Sequence, residues 1–146
     1  MMEPIRIKKL HPAATIPTYG STEAAGADLY ACLDESVTIP AGKTVFIPTG
    51  IALEVPAGCA GLIYARSSMG TKRGLAPANK VGVIDCDYRG QVMVALHNHG
   101  QDDQVVQPNE RIAQLLITPV FTPGFIEVDD LSDTARGTGG FGSTGR

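Results

Sequence analysis

The sequence predicts a single all-β domain, built as a sandwich, jelly roll or barrel, and three observations support this class. Glycine and proline contribute 17 and 10 of the 146 residues and recur every few positions. No long segment shows a helical period, and the runs between turn residues are short and rich in β-branched side chains. A chain of this length buries roughly 70% of the surface that its unfolded form exposes, so a core forms without metal or disulfide staples.

Nine short segments are predicted as strands because β-branched and apolar residues dominate them and turn residues bound them. They are Ile5–Lys8, Val37–Ile39, Thr44–Pro48, Ile51–Val55, Gly61–Ala65, Val81–Ile84, Gln91–His97, Ile112–Pro119 and Phe125–Val128. One short helix is predicted around Ser67–Lys72, and Gly70 limits its length. The polar segment His99–Asn109 lacks periodicity and is predicted to be a loop.

The stretch from Asn79 to Gly90, which reads NKVGVIDCDYRG, carries the strongest chemical signal. Alternating β-branched residues lie on both sides of its turn residues, so we predict a hairpin with Asp85 and Tyr88 near its bend. Glycines on both sides of the bend leave the backbone open to close approach. A carboxylate and an aromatic ring in this setting suit a small planar ligand that is attacked by water.

Four further segments carry side chains that suit a ligand site. Asp28 precedes a β-type run, where it serves either as a turn or capping residue or as a metal ligand. Arg66 precedes two serines at the predicted helix start, a pattern typical of an anion site or of a capped turn. Gln114 lies among apolar neighbours, so its amide needs partners from the backbone or from a bound phosphate and water. The glycine-rich end carries Arg136 and Phe141, a charge for phosphate and a ring for stacking.

Composition argues against several classes of protein. The 15 acidic and 12 basic side chains give a net charge of −3, which argues against binding nucleic acid through overall charge. A barrel that binds single strands would need more aromatic residues on a basic groove than this chain offers. No apolar run approaches the roughly 20 residues that span a membrane, and no signal peptide is recognisable, so we expect no membrane partner and a cytoplasmic location.

Cysteine and histidine spacing predicts no structural metal site. Cys32, Cys59 and Cys86 are an odd set without CxxC spacing, typical of free thiols in a reducing compartment. His97 and His99 would share one face of a strand, so a zinc site is conceivable. No third cysteine or histidine has suitable spacing, and we therefore do not predict structural zinc.

Five motifs occur along the chain in a specific order: AGADLYA, ARSSMG, NKVGVIDCDYRG, ERIAQLLI and RGTGGFGSTG. With them the sequence resembles the homotrimeric dUTPase family from about Ile5 to Arg146, and the third and fifth motifs are the most specific. The resemblance implies a jelly-roll-like, distorted β-barrel with one short helix. It implies a barrel domain over residues 1–135 that includes a C-terminal strand, and a flexible arm over residues 136–146 that closes a site on a partner chain.

The resemblance also implies an activity, which is Mg²⁺-dependent hydrolysis of dUTP to dUMP and pyrophosphate. Such an enzyme limits uracil incorporation into DNA and supplies dUMP for thymidylate synthesis. The implied assembly is a homotrimer with its sites at subunit interfaces. The alternative within the same fold is a dCTP deaminase, which usually places a glutamate near the base, yet no glutamate lies between Glu54 and Glu110. A nucleotide-sensing protein without activity is a further alternative.

The resemblance assigns roles by matching position. Asp85 is the base that activates the attacking water, Gln114 helps to position the α-phosphate and that water, and Asp28 holds Mg²⁺ through water. The phosphates are bound by Arg66, Ser67 and Ser68, and the terminal phosphate is met by Arg136. The nucleoside is contacted by six residues. The uracil edge meets Asn79, Val83 and Ile84, and the uracil ring stacks against Phe141. Tyr88 lies beneath the deoxyribose, and Met93 lines the pocket.

Overall fold

The structure is a computed structural model that describes residues 3–143 and residue 145. The described residues form 12 strands and one helix, which confirms the predicted all-β class and its short helix. In chain order the elements are β1 (Ile7–Lys9), β2 (Thr18–Tyr19), β3 (Ala27–Tyr30), β4 (Val37–Ile39), β5 (Thr44–Pro48), β6 (Ile51–Leu53), β7 (Cys59–Tyr64), α1 (Ser67–Arg73), β8 (Leu75–Pro77), β9 (Gly82–Ile84), β10 (Met93–Asn98), β11 (Gln104–Val106) and β12 (Arg111–Pro119). Among residues 3–143, no helix has the length and apolar character that crossing a bilayer requires.

The strands form four antiparallel sheets. The largest has the order β2-β3-β12-β7-β9, the second has the order β5-β10-β8, and two strand pairs, β1-β6 and β11-β4, complete the domain. The nine-residue β12 lies at the centre of the largest sheet and pairs with β3 on one side and β7 on the other. Its pairing with β3 shifts register between Arg111 and Ala113, which marks a bulge near the candidate site.

The core lies between the sheets and is filled mainly by branched aliphatic side chains. Strand β10 shows the pattern: Val94, Leu96 and Asn98 point inward and are buried, whereas Met93 and His97 point outward. Asn98 is fully buried but fully bonded, because its amide donates to the carbonyls of residues 39 and 102 at 2.9 and 2.8 Å and accepts from the amide of residue 100 at 2.9 Å.

The predicted hairpin of Val81–Ile84 and Gln91–His97 is wrong. Strand β9 pairs with β7 in the five-stranded sheet, and β10 pairs with β5 and β8 in the other. The true hairpin partners are β8 and β10, since Leu96 lies opposite Pro77 and the amide of Ala78 donates to the carbonyl of residue 95 at 2.8 Å. The chain between β8 and β10 enters the five-stranded sheet as β9 before it returns. Alternation along one strand cannot reveal this path.

The predicted strand at Phe125–Val128 is also wrong. In the described part of the chain, no strand follows Pro119, and the side chains of residues 120–135 are exposed. A strand needs a neighbouring ladder for its amides and carbonyls, and this single chain offers none there. The predicted division at residues 135 and 136 stays a prediction, and positions 1, 2, 144 and 146 lie outside the described residues.

Smaller differences concern the ends of elements and four unpredicted strands. The segment His99–Asn109 is not entirely loop, because β11 forms within it and pairs with β4. Asp28 lies inside β3 rather than before a strand, which places its side chain in a defined row with those of β12. Strands β2, β3 and β8 have two to four residues and contain no two adjacent β-branched residues, so their sequence does not indicate a strand.

Candidate functional site

A cleft of about 370 Å³ opens where the connection between β8 and β10 crosses from one sheet to the other. Six residues are predicted to meet the nucleoside, and five of them line this cleft: Asn79, Val83, Ile84, Tyr88 and Met93. The sixth, Phe141, belongs to the C-terminal arm. The wall also includes Phe46 and Gln91, which the motifs did not single out. Phe46 is an exposed aromatic on the outward face of β5, and an aromatic residue at an outward strand position was the signal that could have revealed it.

Size alone does not identify the site. A larger cavity of about 530 Å³ lies between the N-terminal residues, the segment around Pro56 and Arg89, and none of the predicted site residues lines it. The smaller cleft is the better candidate because it brings an aromatic ring and exposed strand backbone together beside a carboxylate.

The tyrosine of the cleft is held in place by its own turn. The Tyr88 hydroxyl donates to the carbonyl of Gln91 at 2.8 Å, and its backbone amide donates to the carbonyl of Asp85 at 3.2 Å. A Cβ added to Gly90 would lie 2.4 Å from the Tyr88 hydroxyl, so only glycine leaves room for the ring. The Gln91 side chain in turn accepts from the amide of Gly50 at 3.0 Å, which ties the turn to β6.

The carboxylate of Asp85 is exposed one residue beyond Ile84, which lies opposite Gly61 on β7. Within the described residues no cation forms a salt bridge with Asp85. It is therefore an accessible carboxylate next to the cleft, where it can accept a proton from water.

A second group of predicted residues lies at the opposite end of β7. Asp28 on β3 and Tyr64 on β7 both lie directly opposite Gln114 on β12. Arg66 follows β7, and its Nε donates to Asp28 Oδ1 at 2.8 Å. Arg111 approaches Asp28 Oδ2 at 3.4 Å and is a site residue that the sequence reasoning missed, although it lies inside the fourth motif.

The sequence leaves open whether the Gln114 amide bonds to the backbone or to a bound phosphate and water. In the structure it bonds to the backbone. Its Nε2 donates to the carbonyl of Ala65 at 2.9 Å, at the end of β7. A Cβ added to Gly26 would lie only 2.5 Å from Gln114 Oε1. The first motif therefore needs glycine at this position because the amide of the fourth motif occupies the space.

Helix α1 presents its first turn to solvent. Arg66 occupies the N-cap position with extended backbone (φ −73°, ψ 146°) and gives no side-chain cap, while Ser67 and Ser68 are exposed. The other end is fixed, because Arg73 pairs with Glu110 and donates to the side chain of Gln104 at 3.1 Å. An anchored helix with open N-terminal amides and two hydroxyls suits an anion.

The carboxylate of Asp28 does not by itself make a metal site. Both carboxylate oxygens of Asp28 are engaged by guanidinium groups, and no three histidine, cysteine, aspartate or glutamate side chains in residues 3–143 cluster with metal-ligand spacing. A divalent cation at Asp28 would meet two neighbouring positive charges. It fits there only together with an anionic ligand that neutralises them.

The two groups of residues are well separated within one chain. Asp85 lies at the level of Ala60 on β7, whereas Gln114 lies opposite Tyr64. Four residues of strand correspond to about 13 Å, and the two strand spacings from β12 to β9 add about 10 Å across the sheet. The candidate base and the residues predicted to bind phosphate therefore do not share one pocket within this chain.

The described residues of the C-terminal arm form no hydrogen bond or salt bridge with either group. Arg136 bonds within its own turn, donating from Nε to the carbonyl of Gly139 at 2.6 Å. Phe141 is fully exposed, with a positive φ of 51°. In this structure both predicted arm residues remain available for a ligand or a partner chain.

Comparisons with known proteins agree on one family. The family model described as dUTPase matches residues 13–145. The chain is 51% identical over 134 residues to the deoxyuridine 5'-triphosphate nucleotidohydrolase of Desulfitobacterium hafniense, covering 91% of this chain and 89% of that one. The dUTPase of Staphylococcus bacteriophage 80alpha, solved with dUPNHPP, superposes with a TM-score of 0.90 at 26% identity, over 99% of this chain and 100% of that one.

A more distant structure shares the fold alone. An aspartate-to-asparagine mutant of the dUTPase from phage phi11 of S. aureus is 21% identical and has a TM-score of 0.81, and the match covers 90% of this chain and 100% of that one. It is described as coordinating a structural Mg(II) ion.

Proposed function

The chain belongs to the dUTPase family, and we propose that it hydrolyses dUTP to dUMP and pyrophosphate. The observation that carries the proposal is the cleft beside Asp85, whose walls combine a fixed tyrosine ring with the exposed edge of β9. Family membership supports the reaction, and the cleft supports the place where the nucleoside binds. The physiological role that follows is to limit uracil in DNA and to supply dUMP for thymidylate synthesis.

Asp85 is the proposed general base. Its carboxylate takes a proton from the water that attacks the α-phosphorus, opposite the leaving pyrophosphate. Phosphoryl transfer leaves the protein mainly the tasks of positioning and charge neutralisation, so an accessible, unpaired carboxylate beside the nucleoside is the group that the reaction needs.

Selectivity for deoxyuridine follows from the walls of the proposed nucleoside cleft. Backbone groups at Val83 and Ile84, together with the Asn79 amide, pair with the uracil edge and would face mismatched donors on cytosine. The ring of Tyr88, held by its hydrogen bond to the Gln91 carbonyl, lies where a ribose 2′-hydroxyl would project. Met93 lines the same pocket. Fixed polar partners can reject a wrong ligand by about 10⁴-fold or more, which exceeds the discrimination that one methylene group gives.

The phosphates are proposed to bind at the other group of residues. Arg66, Ser67 and Ser68 supply positive charge and donors at the start of α1, and Gln114 positions the α-phosphate and water. A triphosphate competes with Asp28 for the guanidinium of Arg66, so ligand binding and rearrangement of this ion pair are coupled. The arm then adds Arg136 at the terminal phosphate and Phe141 over the uracil.

Mg²⁺ is proposed as the cofactor that accompanies the triphosphate. Asp28 would contact the ion through water once phosphate has replaced the carboxylate at the arginines. Bound Mg²⁺ supplies positive charge that offsets the negative charge on the phosphate oxygens.

Each site is proposed to form between chains. The base and the phosphate group lie at opposite ends of β7, so one chain supplies Asp85 and another supplies Arg66 and Gln114. A closed ring of three identical chains provides three such sites. The exposed apolar side chains of Phe121, Phe125 and others in residues 120–131 support an assembly in which a neighbouring copy covers them.

The location proposed for the enzyme is the cytoplasm. All three cysteines are free thiols and half-buried, which suits a reducing compartment.

The first test is product analysis with a matched pair of variants. We expect Asp85→Asn to lower turnover of dUTP by at least about 10²-fold while nucleotide binding is retained. Asp87→Asn makes the same charge change at another exposed aspartate two residues away and should leave turnover nearly unchanged. Release of dUMP and pyrophosphate is measured for dUTP, dCTP, dTTP and UTP with Mg²⁺. Ammonia release from dCTP, or full turnover in Asp85→Asn, would contradict the proposal.

The second test asks whether sites form between chains. Asp85→Asn and Arg66→Gln chains are each expected to be inactive, and an equal mixture is refolded together. If base and phosphate residues come from different chains, about a quarter of the sites combine two intact halves and activity returns. Sites built within one chain would give no recovery at all.

A further inference from the structure

Two histidines lie side by side on the outer face of the three-stranded sheet. His97 is on β10 between the buried residues Leu96 and Asn98, so its ring points away from the core. His99 follows just beyond the strand and is exposed. The two ring centroids are 4.5 Å apart, with an angle of 64° between the ring planes.

We propose that the imidazoles of His97 and His99 together bind a divalent transition-metal ion of the Zn²⁺, Ni²⁺ or Cu²⁺ type. Imidazoles that bind one ion at about 2.0–2.1 Å, with bond angles near 90–110°, hold their ring centroids roughly 4.5–5 Å apart. The observed spacing matches that of two neighbouring ligands on one ion. Because the two rings meet edge to face, binding an ion requires side-chain rotation that turns one nitrogen of each ring toward it.

Thr44 orients one of the two rings. Its Oγ1 lies 2.9 Å from Nδ1 of His97, on the neighbouring strand β5, where the two residues are directly opposite each other. When Nδ1–H donates to this hydroxyl, the lone pair of Nε2 is free for an ion. A partner on the second ring nitrogen is the usual way in which proteins fix the tautomer and direction of a metal-binding histidine.

The pair differs from a structural zinc site and from a magnesium site. No third metal-ligating side chain of the described residues joins it, so solvent completes the coordination and binding is reversible. Nitrogen ligands favour Cu²⁺, Ni²⁺ and Zn²⁺, whereas Mg²⁺ takes oxygen ligands. The nearby ammonium group of Lys80 opposes a bound cation, and its removal should tighten binding.

The site lies close to the nucleoside cleft but shares no residue with it. Phe46, which lines the cleft, is two residues from Thr44 on β5, and Ala95, which lines a smaller neighbouring cavity, is two residues from His97 on β10. Two residues of strand correspond to about 7 Å. Metal binding here depends on the two imidazoles alone and not on hydrolysis of dUTP.

Zinc titration calorimetry on the full chain without an affinity tag tests the proposal. We expect one Zn²⁺ per chain, bound at least about tenfold more weakly by His97→Gln and by His99→Gln, since the second imidazole acts intramolecularly. His11→Gln is the matched control, because His11 lies in an exposed turn distant in sequence and should leave the affinity unchanged. Lys80→Gln should bind Zn²⁺ more tightly than the wild type.

Two results would overturn the proposal. One is an affinity for Zn²⁺ that stays within twofold of the wild type in His99→Gln, whose side chain is exposed and whose replacement leaves the core intact. The other is a Cu²⁺ paramagnetic resonance spectrum of the wild-type protein that shows fewer than two coordinated imidazole nitrogens. The spectrum needs no variant, so it decides the question even if His97→Gln fails to fold.

Discussion

Replacing Gly26 by alanine should damage the active site more than the fold. The new Cβ would lie 2.5 Å from Gln114 Oε1, 3.2 Å from Gln114 Cβ and 3.1 Å from a methyl group of Leu116. The amide oxygen must retreat by about 0.5 Å or more to restore an ordinary contact, which pulls the Gln114 amide away from the Ala65 carbonyl. Overpacking and a weakened hydrogen bond together cost about 1–3 kcal/mol of unfolding free energy, a fall in Tm of roughly 3–10 °C.

The expected loss of activity is larger than the loss of stability implies. A displacement approaching 1 Å in a positioning group costs on the order of 10–100-fold in rate. Steady-state hydrolysis of dUTP at a temperature well below the Tm measures kcat directly. Gly20→Ala is the control, because nothing lies within 4 Å of a Cβ at that exposed glycine.

A double-mutant cycle separates the two effects. If Gly26→Ala acts through the amide, it should reduce kcat in the wild-type background but not in Gln114→Ala, where no amide remains to be displaced. A Gly26→Ala enzyme with lowered Tm and unchanged kcat would refute the role of Gln114 as a positioning residue. Equal loss of kcat in both backgrounds would refute the steric reasoning.

Three further outcomes are expected. Tyr88→Ala should raise UTP cleavage relative to dUTP, measured as a ratio of kcat/KM, and an unchanged ratio argues against the sugar-recognition role. Asn98→Ala leaves three backbone groups without partners and should cost about 2–4 kcal/mol in urea unfolding, whereas a cost below about 1 kcal/mol contradicts the hydrogen-bond account. Desolvation, Lys80 and His97 lower the pKa of His99 from 6.5. The unfolded chain therefore binds this proton more readily, and His99 opposes folding only as pH falls below about 6.5. Its proton NMR titration in metal-free buffer should move to higher pH in Lys80→Gln.

Local patterns in the sequence predict much of this fold. Runs of β-branched and apolar residues bounded by turn residues identify strands such as Thr44–Pro48 and Ile112–Pro119, and the helix begins at Ser67 as predicted. The partner of a strand is a non-local property, however, and β9 shows the consequence. Its residues alternate as a hairpin strand would, yet they pair with β7, because the choice among sheets depends on the packing of the whole core.

The sequence likewise predicts some residues of the candidate site and misses others. The motifs identify Asp28, Arg66 and Gln114, and the structure brings these three together. Arg111 escaped notice because its contact with Asp28 depends on the register of β12 against β3, which a bulge shifts. Phe46 escaped notice because its strand belongs to no motif, and only the fold brings it to the wall of the cleft.

The separated site and the exposed C-terminal segment have a common physical explanation. Residues 120–131 expose several large apolar side chains to water. In an isolated chain these side chains contribute no free energy from the burial of apolar surface. Asp85 likewise lies more than a strand's width from the arginine that would hold the phosphates, and a rigid sheet cannot bring the two together by bending. The proposed assembly would resolve both features at once, since a neighbouring copy would cover apolar surface and carry the missing half of each site. Association would therefore create the catalytic geometry, and activity should follow the oligomeric state of the protein rather than the folding of a single chain.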